Sequence, residues 1–175
     1  NTIRSTADIM DISTGETVPA GSRYPNGQNI YNSFSLYGGY KFNLSTKFTI
    51  STGARYNFVS LNSEIADNSF YNFPFTSIES ANSAVTGAAG AVYRPDGRTE
   101  LTLNLSTGFR APNLDDLGKV FESAPGVLVV PNPDLRPEYL YNADIGASRE
   151  IGNMLLAEAS LFYSYLDNAM VRREF

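Results

Sequence analysis

From Arg98 to Arg110 the chain alternates with an almost perfect period of two. Thr99, Leu101, Leu103, Leu105, Thr107 and Phe109 share one parity, while Glu100, Thr102, Asn104, Ser106, Gly108 and Arg110 share the other. Successive side chains of a strand point to opposite faces, so this pattern specifies an extended segment with one dry and one wet side. The run just before it has the same period, with Val85, Ala89, Ala91 and Tyr93 against Ala84, Thr86, Ala88 and Gly90, and Arg94-Pro95-Asp96-Gly97 joins the two. Pro fixes one φ and Gly supplies freedom at another, which makes this join a hairpin turn.

Two more hairpins follow the same rule. Phe34, Leu36, Gly38, Tyr40 and Phe42 lead through Asn43–Thr46 to Phe48, Ile50, Thr52, Ala54, Tyr56 and Phe58. Tyr139, Tyr141, Ala143, Ile145 and Ala147 lead through Gly152-Asn153 to Leu155, Ala157, Ala159, Leu161, Tyr163 and Tyr165. Six strands in three hairpins are therefore expected. Short turns close each hairpin, whereas long polar segments at about 62–82 and 111–137 join one hairpin to the next, and residues 1–29 have the same loop-like makeup. Short turns at one end and long loops at the other are the signature of an up-and-down transmembrane barrel.

Charge placement tests what the dry side faces. Lys41, Lys47, Arg55, Arg94, Glu100, Arg110, Asp144 and Glu158 all fall on the polar parity; Arg149, beside a short turn, is the exception, where a long side chain can snorkel to an interface. A charge at mid-membrane on a lipid face costs roughly 2–4 kcal/mol, so a bilayer would enforce this segregation. A soluble sandwich would share it. The aromatics separate the two readings: Tyr40, Phe42, Phe48 and Tyr93 lie near the short turns, and Phe34, Tyr56, Phe58, Phe109, Tyr139, Tyr141, Tyr163 and Tyr165 lie toward the long loops. Small or aliphatic residues such as Ala54, Ala89, Leu103 and Ala159 fill the middle. Two aromatic girdles around a bland belt suit two membrane interfaces, whereas a sandwich core would place its largest residues at the centre.

Composition removes other functions. With 13 Lys and Arg against 18 Asp and Glu, the chain would repel a nucleic-acid backbone, so no nucleic-acid partner is expected. Without Cys or His it lacks thiol nucleophiles, imidazole ligands and His-based triads, so no enzyme activity is expected. No apolar run is long enough for a membrane-crossing helix. Asp115, Asp116, Asp134 and Glu138 could offer oxygens to calcium, but they lack the spacing of a ligand loop. No metal and no cofactor are expected.

The fourth strand ends in Gly108-Phe109-Arg110-Ala111-Pro112-Asn113-Leu114, and the loop after it closes with Asn132-Pro133-Asp134-Leu135-Arg136-Pro137-Glu138. In this order, separation and hairpin context, the two motifs resemble those of the TonB-dependent receptors. The residues carrying the resemblance are Phe109, Arg110, Ala111, Pro112, Asn132, Pro133, Asp134, Leu135, Pro137 and Glu138. It covers about the last two fifths of the chain, and the remainder agrees in strand rhythm. Turn chemistry accounts for the prolines: Pro112 stops pairing because it has no N–H, and Pro137 can open a strand without a ladder donor. A turn does not need Arg110, Asp115, Asp116, Asp134 or Arg136, which makes these five the candidate substrate-binding residues of an extracellular loop.

The resemblance implies that residues 1–175 are part of a single all-β, antiparallel barrel domain, a six-strand portion of a barrel of about 22 strands that holds a plug. It further implies a plug domain before this segment, more strands after it, and a place in the outer membrane of a Gram-negative bacterium. The implied partners are the TonB complex, engaged through the N-terminal plug region, outer-membrane lipids, a small nutrient ligand and a surface lipoprotein. The implied function is TonB-coupled import of a scarce nutrient: a siderophore, cobalamin, haem, a carbohydrate or a peptide. Haem receptors of this group commonly carry a His between the two motifs, and this sequence has none. A passive porin and a soluble β-sandwich binding module are the rival readings.

Overall fold

The computed structural model describes residues 1–22, 24–69, 72–119, 121–124, 127–129 and 132–171. Residues 23, 70–71, 120, 125–126 and 130–131, which fall within the three long connections expected from the sequence, lie outside the described residues. In chain order the elements are β1 (Thr2–Arg4), β2 (Asp8–Met10), β3 (Thr17–Pro19), β4 (Gln28–Asn43), β5 (Phe48–Glu64), β6 (Ser77–Asp96), β7 (Thr99–Arg110), α1 (Leu114–Leu117), β8 (Phe121–Ala124), β9 (Val127–Val129), β10 (Glu138–Ile151) and β11 (Leu155–Asp167). One antiparallel sheet carries the order β1-β4-β5-β6-β7-β10-β11, so six long strands follow one another as neighbours and a three-residue strand borders β4. Two small hairpins, β2-β3 and β8-β9, occupy long connections.

The register keeps the apolar series on one face. Ala91 lies opposite Leu103, Leu103 opposite Ile145, and Ile145 opposite Leu161. The other face aligns Gly90 with Asn104 and Asn104 with Asp144. The apolar face stays open: Leu103 is 45% exposed, Ile145 54% and Leu161 71%. A soluble monomer seldom leaves so extended an apolar surface uncovered, whereas hydrocarbon is a matching neighbour. Ring pairs mark both ends of this face, with Phe48–Tyr93 centroids 6.1 Å apart near the short turns. Toward the other end Phe109–Tyr139 are 5.5 Å apart and Tyr141–Tyr165 6.4 Å.

Three details differ from the sequence reading. β6 runs through Pro95 to Asp96, leaving Gly97-Arg98 as the turn, and the register shifts between Tyr93 and Asp96. An extra residue at such a bulge is unpaired, which is where a strand tolerates a proline. β5 and β6 also run to Glu64 and from Ser77, further than the alternation suggests. There the pattern inverts, because buried Leu61 and Ile78 have the parity of the polar series. Leu140 and Leu166 likewise sit opposite one another on the polar side.

The chain divides into two compact units. One comprises Asn1–Phe34, Phe58–Asn82 and Ala111–Arg136; the other comprises Ser35–Asn57, Ser83–Arg110 and Pro137–Phe175. The second is sheet wall one strand thick. The first, the loop unit, has a core of its own: Leu61, Ile78, Leu114 and Leu117, with Tyr24, Tyr31, Phe75 and Leu135 packed against it.

Candidate functional site

In the loop unit, Pro112 ends β7 as its missing N–H requires, and the next residues coil into the single turn of α1. Asn113 caps that turn. Its side-chain oxygen accepts from the N–H groups of Asp115 at 2.8 Å and Asp116 at 3.1 Å. Its own N–H donates to Asp116 Oδ2 at 3.1 Å, completing a capping box. Leu114 and Leu117, three apart, point the same way into the core. The Tyr24 hydroxyl donates to Asp115 Oδ1 at 3.0 Å, and Lys119 approaches the same oxygen at 3.5 Å.

The other loops of this unit are bound by side-chain amides. Asn26 donates to the Asp67 carbonyl at 3.1 Å and accepts from the Asp67 N–H at 3.0 Å. Asn68 bridges the Phe73 backbone in both directions, at 2.6 and 2.8 Å. Buried Asn29 donates to the carbonyls of Ile3 at 3.1 Å and Pro25 at 2.9 Å and accepts from the Ser63 hydroxyl. Gly27 donates to the Glu64 carbonyl at 3.1 Å, and a Cβ on Gly27 would collide with that carbonyl. The Ser69 hydroxyl and N–H hold the Asp67 carboxyl below the usual aspartate range. Asp11, at the β2-β3 turn, is lowered in the same way by the hydroxyl and N–H of Ser13 and then the N–H of Thr14. A cavity lined by Pro19, Tyr24, Asn26, Ile65, Phe73 and Gly118 among others measures about 30 Å³, room for little more than a water.

The five candidate residues fall into different settings. Arg110 belongs to the wall, directly across from Glu138 in the ladder, and pairs with it at 2.9 Å. Glu138 also accepts from the Met170 N–H at 2.7 Å, tying the chain after β11 to β7 and β10. Asp115 and Asp116 are engaged in the α1 turn as described. Asp134 is exposed, with its N–H on Asn132 Oδ1 at 3.0 Å, and Arg136 is exposed two residues on. Between them Leu135 packs on the core of the loop unit. Tyr24, Asn26 and Leu117 carry no motif of their own in the sequence, although Asn113-Leu114-Asp115-Asp116 is a capping pattern that holds Leu114 at helical spacing from Leu117.

On the polar face of the wall, Asn104 donates to Asp144 Oδ1 at 2.8 Å, Asn142 to Asp144 Oδ2 at 3.4 Å, and Ser164 to Asn142 Oδ1 at 2.5 Å. Arg94 pairs with Glu100 at 2.5 Å. Glu100, Arg110 and Asp144 thus each have a partner of their own among the described residues: Arg94, Glu138 and Asn104. Ser148 stands directly between Glu100 and Glu158 in the register. The Cβ-less Gly146 deepens a hollow of about 350 Å³ beside these three residues.

A family model described as "TonB dependent receptor-like, beta-barrel" matches residues 4–174. Among solved structures, the chain is similar to one described as "Copper transporter OprC", with a TM-score of 0.69 and 17% sequence identity. The similarity covers 91% of this chain and 24% of that one, so the chain spans about a quarter of that structure's length. No curated protein matches the sequence.

Proposed function

The chain belongs to the TonB-dependent receptor family, and from that premise we propose that it is part of the barrel wall and loop face of a receptor that captures a scarce nutrient outside the cell and imports it with TonB-relayed energy. Its place is the outer membrane of a Gram-negative bacterium. Residues 1–175 are read as one portion of a single barrel domain, completed by further strands and by a plug domain that engages the TonB complex. The apolar face meets outer-membrane lipid, and the polar face, with its Asn, Ser and Asp contacts, lines the lumen. Exposed Asp134 and Arg136, together with Arg110, Asp115 and Asp116, are assigned to the rim over which a small nutrient is captured: a siderophore, cobalamin, haem, a carbohydrate or a peptide. A surface lipoprotein is a further partner on this reading. Import of this kind requires no bond to be made or broken in the ligand.

The observation that carries the reading is the family match over nearly the whole chain, joined to strands whose long connections all fall at one end. The test is uptake by cells expressing the whole receptor, measured with a panel of ferric siderophores, cobalamin, haem, oligosaccharides and peptides. Import of at least one of them should stop on adding a protonophore or removing TonB. Uptake indifferent to both would favour a porin.

A further inference from the structure

Resting on the receptor reading, we propose that Tyr24 and Leu117 are positioning residues that hold three separate chain segments as one pre-assembled capture face, onto which a nutrient docks without first ordering the loops. The segments are residues 24–31, 61–69 with 72–78, and 113–118. Each is tied to both of the others by this chain's own side chains.

The first and third segments meet at the Tyr24–Asp115 hydrogen bond of 3.0 Å. They also meet at Gly118, where an added Cβ would lie 3.2 Å from Pro25 Cδ and 3.0 Å from Leu114 Cδ1. The first and second are joined through Asn26 and the Asp67 backbone, Gly27 and Glu64, and Asn29 and Ser63. The second and third share the core, in which Leu117 is 0% exposed, Ile78 1% and Leu61 2%. A one-turn helix does not persist alone in water, so α1 exists because Leu114 and Leu117 are buried and Asn113 caps it. Removing Leu117 therefore takes away a contact common to the second and third segments, and through Tyr24 and Pro25 it loosens the first.

Pre-assembly has a consequence for capture. A loop that orders on binding subtracts the cost of ordering from affinity, whereas a face already closed by its own core keeps that affinity. It also changes the part played by the motif around Pro112. Asp116 completes the capping box and Asp115 accepts from Tyr24, so these two carboxylates of the rim also fix the geometry of the face.

The experiment is hydrogen exchange read by mass spectrometry on the whole receptor in lipid nanodiscs, with no nutrient added. In the wild type, peptides covering all three segments should be protected. Leu117→Ala should speed exchange in all three by about tenfold or more, since truncating a fully buried Leu removes much of the local opening free energy. Peptides from 139–151 and 155–165 should not change, which shows the wall still folded. Tyr24→Phe should speed exchange in 24–31 and 113–118 less than Leu117→Ala does. Leu117→Met, which conserves volume, should restore the wild-type pattern. Acceleration confined to 111–119 in Leu117→Ala, or complete exchange of the three segments in the wild type at the shortest labelling time, would overturn the proposal. Failure of energy-dependent uptake would instead sink the receptor reading and leave these exchange rates as they are.

Discussion

Gly27 and Asp67 show how single residues set the loop unit. Gly27 lies so close to the Glu64 carbonyl that any side chain must displace backbone, which does not yield as a flexible side chain would. Gly27→Ala should therefore destabilise the loop unit by about 1–3 kcal/mol, the usual cost of overpacking, read as faster amide exchange at residues 61–67. Asp67 carries a pH dependence whose sign follows from its lowered pKa. A depressed carboxyl contributes stability above its unfolded pKa of about 4 and loses it as pH falls through the lower folded value. Between pH 8 and pH 5 its turn should hold unchanged, and a carboxyl carbon titration by NMR should place its midpoint below that of a free aspartate. A midpoint at or above the free value would show that Ser69 does not bind the carboxylate.

Elements differ in what stabilises them. In the wall, β10 is bonded on both sides, to β7 and β11, and its side chains divide between an apolar and a polar face. The stability of the wall strands should therefore depend on which face a substitution lands. Leu103→Arg should cost roughly 2–4 kcal/mol of folding into lipid vesicles, while Ser106→Arg on the opposite face should cost far less. Urea titration of the refolded receptor would show the difference as a shifted midpoint for the first variant, and equal shifts would contradict the assignment of faces. The α1 turn depends instead on its cap and its two leucines. Asn113→Ala should destabilise it by ~1 kcal/mol, seen as faster exchange at residues 114–118 with the wall unaffected.

At the scale of the whole molecule the sheet has open borders. Among the described residues β11 is paired only with β10, and the chain from Asn1 to Arg4 covers β4 only from Gln28 to Tyr31. Such edges recruit other strands, and with the apolar face they should make residues 1–175 expressed alone aggregate in detergent-free buffer. A monodisperse folded monomer on size exclusion would contradict the membrane reading. The wall was legible in the residues because strand parity is local: each Leu, Thr or Asn from Thr99 to Arg110 declares its face by its neighbour, and a bilayer penalises any charge on the wrong one. Pro112 and Gly152 likewise act through their own backbone chemistry, and the chain stops pairing or turns at each. The loop unit could not be read this way. Leu61 and Ile78 look like errors in a polar series until Leu117, far along the chain, covers them, and Tyr24 has no visible role until Asp115 comes within 3.0 Å. Alternation assigns a residue to a face without knowing what lies opposite, so it fixed the wall, whereas a core assembled from three distant segments exists only once the chain has brought them together.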